Sequence, residues 1–223
     1  MVATRHEFLA ELHRIMTPLT YLEIGVQYGY SLALANKCQF SYGVDPDPQL
    51  RVPITGTVFQ STSDDFFASE EVNTIGIIDL AFIDGMHLVE VALRDFINIE
   101  DKMDPWGVIV FDDVLPRNRG EANRTQCPGD WAGDVWKIHE ILYHYRPDLS
   151  LRLVDVQPTG LLVVEGTTFR NFALHRNYQE IIQVFTQDDP LPSGKFDDVL
   201  SRKYALAPEA ALSLMLRRYL DDD

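Results

Sequence analysis

Cysteine is nearly absent from this 223-residue chain: Cys38 and Cys127 are far apart and form no CxxC pair, which argues against a disulfide framework or a cysteine-built zinc site. Positive charge is scarce too. Lysine and arginine number 19 against 34 aspartates and glutamates, giving a formal net charge of -15, so duplex nucleic acid and anionic membranes would be repelled. No apolar run approaches the length of a membrane span. Nothing resembles a secretory leader, because residues 1–16 carry Glu7 and Glu11 amid scattered apolar positions and read as an amphipathic helix. These absences leave a cytoplasmic protein with a small or neutral partner, no nucleic acid and no membrane as the expectation. With 46% hydrophobic residues the chain has enough apolar surface for one domain over 1–223, with a core at about 20–165 and a helical extension at about 169–223.

Apolar strands alternate with amphipathic helices along the core. Strands are expected at 20–25, 41–45 and around Val58 and Phe59, then at 77–83 and 108–111, with 77–83 a mostly apolar run rather than an alternation, as in strands buried on both faces. A helix begins over 31–37, and 65–72 is partly helical. Leu88, Val91, Ala92, Phe96 and Ile99 recur at helical spacing, and Pro105, Trp106 and Gly107 punctuate before the strand at 108–111. Such alternation implies a parallel sheet with right-handed crossovers. Residues 134–145 read as a further helix, and 151–156 with 161–165 as a closing antiparallel hairpin around Gln157, Pro158, Thr159 and Gly160. Beyond it, 169–187 contains a helix, 188–194 is a loop and 208–220 is a helix. The C-terminal helices are available for a homodimer interface or simply to cap the sheet.

Two segments carry chemistry. The first, Glu23-Ile24-Gly25-Val26-Gln27-Tyr28-Gly29-Tyr30-Ser31, puts glycines at the end of the first strand, where the backbone turns sharply and a ligand can approach closely. It lacks the tight GxG of a dinucleotide fingerprint. Asp45 stands about twenty residues after the first glycine, where an acid can accept hydrogen bonds from ribose hydroxyls. Glu23 adds a carboxylate able to meet the positive end of an amino-acid-like ligand. The second segment is split: Asp84-Gly85-Met86-His87 and Asp112-Asp113 each follow an apolar strand, putting three carboxylates and an imidazole where neighbouring parallel strands end. That many oxygens suit a hard cation such as Mg²⁺. His87, three residues after Asp84, is placed to act as general base.

The glycine loop after an acid resembles the first motif of class I S-adenosylmethionine-dependent methyltransferases. Phe82-Ile83-Asp84-Gly85-Met86-His87 and Val110-Phe111-Asp112-Asp113-Val114 resemble, more narrowly, the metal-dependent sugar O-methyltransferases of macrolide biosynthesis, the macrocin and mycinamicin type. The likeness runs over about 20–165. It implies an α/β, Rossmann-like methyltransferase fold: a mostly parallel seven-stranded sheet with a C-terminal antiparallel hairpin and helices on both faces. It also implies S-adenosyl-L-methionine as cofactor, Mg²⁺ held by Asp84, Asp112 and Asp113, His87 as the base, and a sugar or glycoside hydroxyl as acceptor, a mannoside or short oligosaccharide among the possibilities. Catechol-type methyltransferases have a comparable metal arrangement, so a catechol or other vicinal diol is the alternative acceptor. A catalytically silent nucleotide-binding or interaction protein is the third reading, opposed by the repulsion that clustered carboxylates would suffer without a cation.

The expected cofactor set is Glu23, Gly25, Gly29, Ser31, Asp45, Ser63, Asp64 and Asp84. Ser63 and Asp64 fall where related methyltransferases contact adenine, or alternatively where a helix N-cap and its acidic first turn would lie. Residues 117–124, with Arg117, Arg119 and Arg124, are long enough for a lid whose arginines grip an acceptor, or form an ordinary solvated loop. Trp131 and Trp136 offer an aromatic sugar platform or core packing. His144, late in a helix, is a second candidate base or a dipole-compensating cap.

Overall fold

A computed structural model describes residues 1–126, 128–187 and 194–220, with the side chains of 218–220 excepted. Cys127, most of the loop expected at 188–194 and the acidic C-terminal residues 221–223 lie outside the described residues. The seven strands are β1 (Thr20–Ile24), β2 (Phe40–Val44), β3 (Thr57–Phe59), β4 (Ile78–Ile83), β5 (Met103–Phe111), β6 (Ser150–Val154) and β7 (Leu161–Glu165). They form one sheet in the order β3-β2-β1-β4-β5-β7-β6. All neighbours from β3 to β5 are parallel, whereas β7 runs antiparallel to both β5 and β6.

The helices cover both faces because the strands bury side chains on both. On one face Leu22, Ile24, Ala81, Ile83, Ile109 and Phe111 pack with α2 (Ser63–Ala68), α3 (Val89–Glu100), α4 (Ile138–Tyr145) and α5 (Ala173–Phe185). On the other, Tyr21, Leu80, Phe82, Val108 and Val110 pack with α1 (Arg5–Met16), a 3₁₀ turn at Leu32–Ala35 and α7 (Pro208–Leu220). A short α6 (Lys195–Leu200) sends Phe196 onto Trp136. Along α7, Ala211, Leu212 and Met215 are buried in the second of these layers, so this helix caps the sheet.

Three differences from the sequence expectation have local causes. The strand expected at 108–111 begins at Met103, because the backbone passes through Pro105 to Gly107 in extended form; the pairing with β4 shifts there, Met103 facing Ile78 but Val108 facing Leu80. That irregularity also puts Ile78 and Leu80 on opposite faces although they are two apart. The helix expected from Ser31 is one 3₁₀ turn, and the helix expected from Asp134 starts as a 3₁₀ turn at Val135–Lys137 before α4.

Between β1 and β4 the strand order reverses direction. Helices leave to opposite sides there, which opens a crevice beyond the carboxyl ends of the strands, the usual ligand position in open α/β sheets. The turns after β1, β2, β4 and β5 bring Gly25, Asp45, Asp84 and Asp112 to this edge.

Candidate active site

The crevice is a cleft of about 910 Å³ whose walls include Gly25, Ser31, Asp45, Ser63, Asp64, Asp84, His87 and Asp113. That volume lies in the range of small-molecule and cofactor sites, roughly 300–1,000 Å³. A second cavity of about 630 Å³, lined by His139, Tyr143, Arg152 and Tyr204 among others, contains none of the expected site residues.

At the β1 end the backbone is shaped by close approach. Gly25 has φ +88°, and a Cβ there would lie 1.9 Å from the Asp84 carbonyl oxygen, so the turn after β1 and the end of β4 can meet only at a glycine. Asp45 holds the same turn from the other side: its Oδ2 accepts from the backbone N–H groups of Val26 and Gln27, both at 2.8 Å, and its Oδ1 accepts from Asp47 N at 2.7 Å. The carboxylate faces the cleft with capacity left for a ribose hydroxyl. Glu23 is placed differently. It is fully buried behind the turn, where the Tyr21 and Ser31 hydroxyls each donate to one of its oxygens at 2.7 Å, and it does not line the cleft. Burial raises its carboxyl to about 8. Gly29 also stands back, its φ of +81° serving the turn beside Leu50.

On the far wall, Ser63 faces the cleft as the first residue of α2, while the cap of that helix is Thr62, whose hydroxyl accepts from Asp65 N at 3.1 Å. Asp64 receives both Nε and Nη2 of Arg94, at 2.8 and 2.6 Å, and that pairing holds its carboxyl below the usual range.

The carboxylates at the ends of β4 and β5 converge. Asp84, His87 and Asp113 each present a ligand atom within 4.8 Å of the others. Asp112, almost wholly buried, lies against the same group, and its Oδ1 has no hydrogen-bond partner. Asp113 sits in the left-handed region at φ +62°, a conformation aspartate tolerates better than most residues; its Oδ1 accepts from the Thr159 hydroxyl at 2.7 Å. This backbone turn lets two successive aspartates serve one site. Burial raises Asp113 to about 6, and burial followed by the charges of Asp84 and Asp113 drives Asp112 well above the ordinary carboxylate range. Such a cluster favours a nearby cation.

Two protein cations lie in it. Arg5, from the first turn of α1, hydrogen-bonds Asp112 Oδ2 and lies 3.2 Å from Asp84 Oδ2. His87 places Nε2 3.1 Å from Asp113 Oδ2 and 3.5 Å from Asp84 Oδ1. Its Nδ1 donates to the Trp131 carbonyl at 2.8 Å, since a carbonyl only accepts. The Trp131 ring packs against the imidazole with centroids 5.3 Å apart. Burial alone would lower His87, but the Asp84 hydrogen bond and the charges of Asp113 and Asp84 outweigh it and hold the imidazole at about 9. The loop bearing Trp131 reaches His87 through Gly133, at φ +62°, where a Cβ would lie 1.7 Å from the His87 carbonyl oxygen. Asp134 Oδ1 then accepts from Val89 N at 2.8 Å and caps α3, whose own Leu88 offers no side-chain cap.

Other expected residues are elsewhere. His144 is more than half exposed on α4, pairs with Glu140 at 2.8 Å and does not line the cleft. Trp136 is core: it packs on Phe196 at 4.6 Å and donates to Ala122 O at 3.3 Å. The arginines of the 117–124 loop are engaged within the chain, Arg117 with Glu121 and Asp130, Arg119 with Asp197, and Arg124 with Glu90 and Asp134. Arg5 and Thr159 were not singled out by motif. Neither has a local signal, since one lies in an ordinary amphipathic helix and the other in a hairpin turn.

Residues 22–114 match the family described as Methyltransferase domain. A search of curated proteins returns no match. Among solved structures, the chain is similar to an SAH-bound methyltransferase of Podospora anserina at 18% identity and a TM-score of 0.56, covering 74% of this chain and 78% of that one. It is also similar to an O-methyltransferase from Bacillus cereus in complex with SAH, at 16% identity and 0.56, covering 72% and 80%. A putative caffeoyl-CoA O-methyltransferase from Staphylococcus aureus aligns at 14% identity and 0.54, covering 71% and 81%. The match over residues 22–114 and these alignments give the chain the class I methyltransferase fold.

Proposed function

We propose that the chain is a divalent-cation-dependent, S-adenosylmethionine-dependent O-methyltransferase acting on a sugar or glycoside hydroxyl. The observation that carries the reading is the convergence of Asp84, His87 and Asp113 within 4.8 Å, on the same cleft as Gly25 and Asp45. The residues present fit a divalent ion: anionic oxygens predominate, one imidazole nitrogen is available, and the buried Asp112 Oδ1 lacks a partner. Asp84, Asp112 and Asp113 would hold it, as the motif resemblance implies, with His87 adjacent. When bound, such an ion supplies Lewis acidity that makes a hydroxyl easier to deprotonate.

The remaining steps belong to the chain. Asp45 and the Gly25 turn hold the cofactor, with Ser63 on the opposite wall, and orient its methyl group toward the carboxylate end. In its neutral form His87 takes the acceptor proton at Nε2, because Nδ1 is committed to the Trp131 carbonyl and the ring is fixed by packing on Trp131; the charge of a bound divalent ion would offset Asp84 and Asp113, whose charges otherwise keep the imidazole protonated. The hydroxyl oxygen then attacks the sulfonium methyl, leaving neutral thioether and methylated product. Pre-alignment of nucleophile and methyl group in one cleft is itself a large share of the acceleration.

Trp131, half-buried and lining the cleft, supports a sugar acceptor, since aromatic faces stack on the apolar faces of pyranose rings. A catechol or other vicinal diol is the second reading, favoured by the likeness to a putative caffeoyl-CoA O-methyltransferase. Incubation with S-adenosylmethionine, Mg²⁺ and parallel panels of glycosides and catechols, read by mass spectrometry, tests both. A methyl gain on glycosides is expected. Turnover of catechols alone would replace the sugar assignment, and no transfer to any hydroxyl would overturn O-methylation.

A further inference from the structure

We propose that Arg5 is a displaceable internal cation: its guanidinium fills the carboxylate cluster of the metal-free protein, and a divalent ion enters by driving it out. This rests on the cation-dependent reading above and adds a residue that the glycine and aspartate motifs do not contain.

The geometry sets the competition. Arg5 Nη1 engages Oδ2 of both Asp84 and Asp112, so any ion held jointly by these two carboxylates would have to occupy the guanidinium's place. Two cations cannot share it without strong repulsion in a partly buried setting. The fit is that of a stand-in. A guanidinium is planar and donates along fixed directions, and here it satisfies one oxygen of Asp112 while leaving Oδ1 buried and unpartnered. A metal ion that takes six or more oxygen ligands has no such directional limit.

The two ends of the interaction differ in freedom. Asp112 is buried at 1% exposure, while the Arg5 side chain is 27% exposed and lines the cleft, which gives it a way out. Its backbone is fixed. Thr4 caps α1 through Glu7 N, Arg5 N donates to Gln157 O at 3.0 Å, and Gln157 N donates to Ala3 O at 2.8 Å. Only the side chain has to move. The same hairpin connection supplies Thr159, whose hydroxyl holds Asp113, so the position of Arg5 relative to the cluster is built into the fold.

Mn²⁺ serves as the probe, with the free ion counted by electron paramagnetic resonance in the absence of cofactor and acceptor. Arg5→Met should bind Mn²⁺ about ten- to a hundredfold more tightly than wild type, the factor expected if the guanidinium leaves the site open in only one to ten molecules per hundred. Arg5→Lys, which keeps the charge, should stay near wild type. Equal affinities for wild type and Arg5→Met, with binding lost in Asp113→Asn, would overturn the Arg5 proposal and leave the metal site standing. Absence of Mn²⁺ binding in every variant would overturn the cation-dependent reading and this proposal with it. A measurement on wild type guards against an unstable Arg5→Met. The Arg5 Nε–H resonance, assigned by its loss in Arg5→Lys, should move from an ion-paired to a solvent-like position as Mg²⁺ saturates the site, and an unmoved resonance at saturation would overturn displacement.

Discussion

Glu23 and Asp45 are both acids beside the first glycine turn, and burial gives them different work. Glu23 has its two oxygens satisfied by Tyr21 and Ser31 and is held at about 8 by burial, so it enters the folded state protonated at neutral pH. Unfolded, the same group ionises near its ordinary 4.5. The folded state therefore binds the extra proton: the contribution to stability is full below about 4.5 and is lost as pH rises through about 8. Glu23→Gln should flatten that decline, most visibly in thermal midpoints measured between pH 6 and about pH 9. A mutant whose midpoint falls with pH as steeply as wild type would show that Glu23 is not the group responsible. Asp45 acts in the cleft. Asp45→Ala should weaken binding of S-adenosylhomocysteine by about 1–3 kcal/mol, because ribose hydroxyls lose an acceptor and Val26 N and Gln27 N are left unpaired. Calorimetry reads this directly, and unchanged affinity would place the ribose elsewhere.

At the scale of elements, the strand ends were the legible part. Asp84, Asp112 and His87 follow apolar runs, and strands buried on both faces must lie side by side in a parallel sheet, so their C-terminal residues meet. Pro105 to Gly107 misled as a break, because turn-forming residues also fit an irregular strand entry that pairing with β4 accommodates. The positions of Arg5 and Thr159 depend on how α1 and the β6–β7 hairpin fold back over the sheet edge, a long-range event with no local sequence signal. His87 and His144 looked similar as imidazoles near helices; the Trp131 loop, closing on His87 through Gly133, distinguishes them. His87→Ala should lower the rate of methyl transfer by roughly 10²- to 10⁴-fold, the range for a positioned general base, with cofactor affinity little changed. Wild-type speed in His87→Ala across neutral pH would remove it from the mechanism. Trp131→Ala leaves His87 Nδ1 its backbone carbonyl but removes the packing ring, so a smaller loss of rate and a weaker affinity for a glycoside acceptor are expected, read as kcat against KM.

For the whole molecule, the proposed cofactor and cation sites fall on different parts of one sheet edge. The Gly25 turn and Asp45 belong to β1 and β2, whereas Asp112 and Asp113 belong to β5, and only Asp84, at the end of β4, borders both. Removing the ion should therefore separate two functions. With EDTA, methyl transfer should stop while S-adenosylmethionine binding remains largely intact, and added Mg²⁺ should restore turnover. The fold should survive the chelator as well. Arg5 and His87 already lie among the three carboxylates, so loss of a divalent ion would not leave Asp112 and Asp113 without opposing charge. A thermal melt in EDTA should lie close to that of the protein without added metal, and Mg²⁺ should raise it with the logarithm of one plus its concentration over its dissociation constant. Asp84→Ala should impair both functions together, because the shared carboxylate is lost. Full turnover in the chelator would show that the carboxylates and their protein cations act without a metal, and the role assigned to Asp84, Asp112 and Asp113 would then pass to positioning Arg5 and His87 against the acceptor.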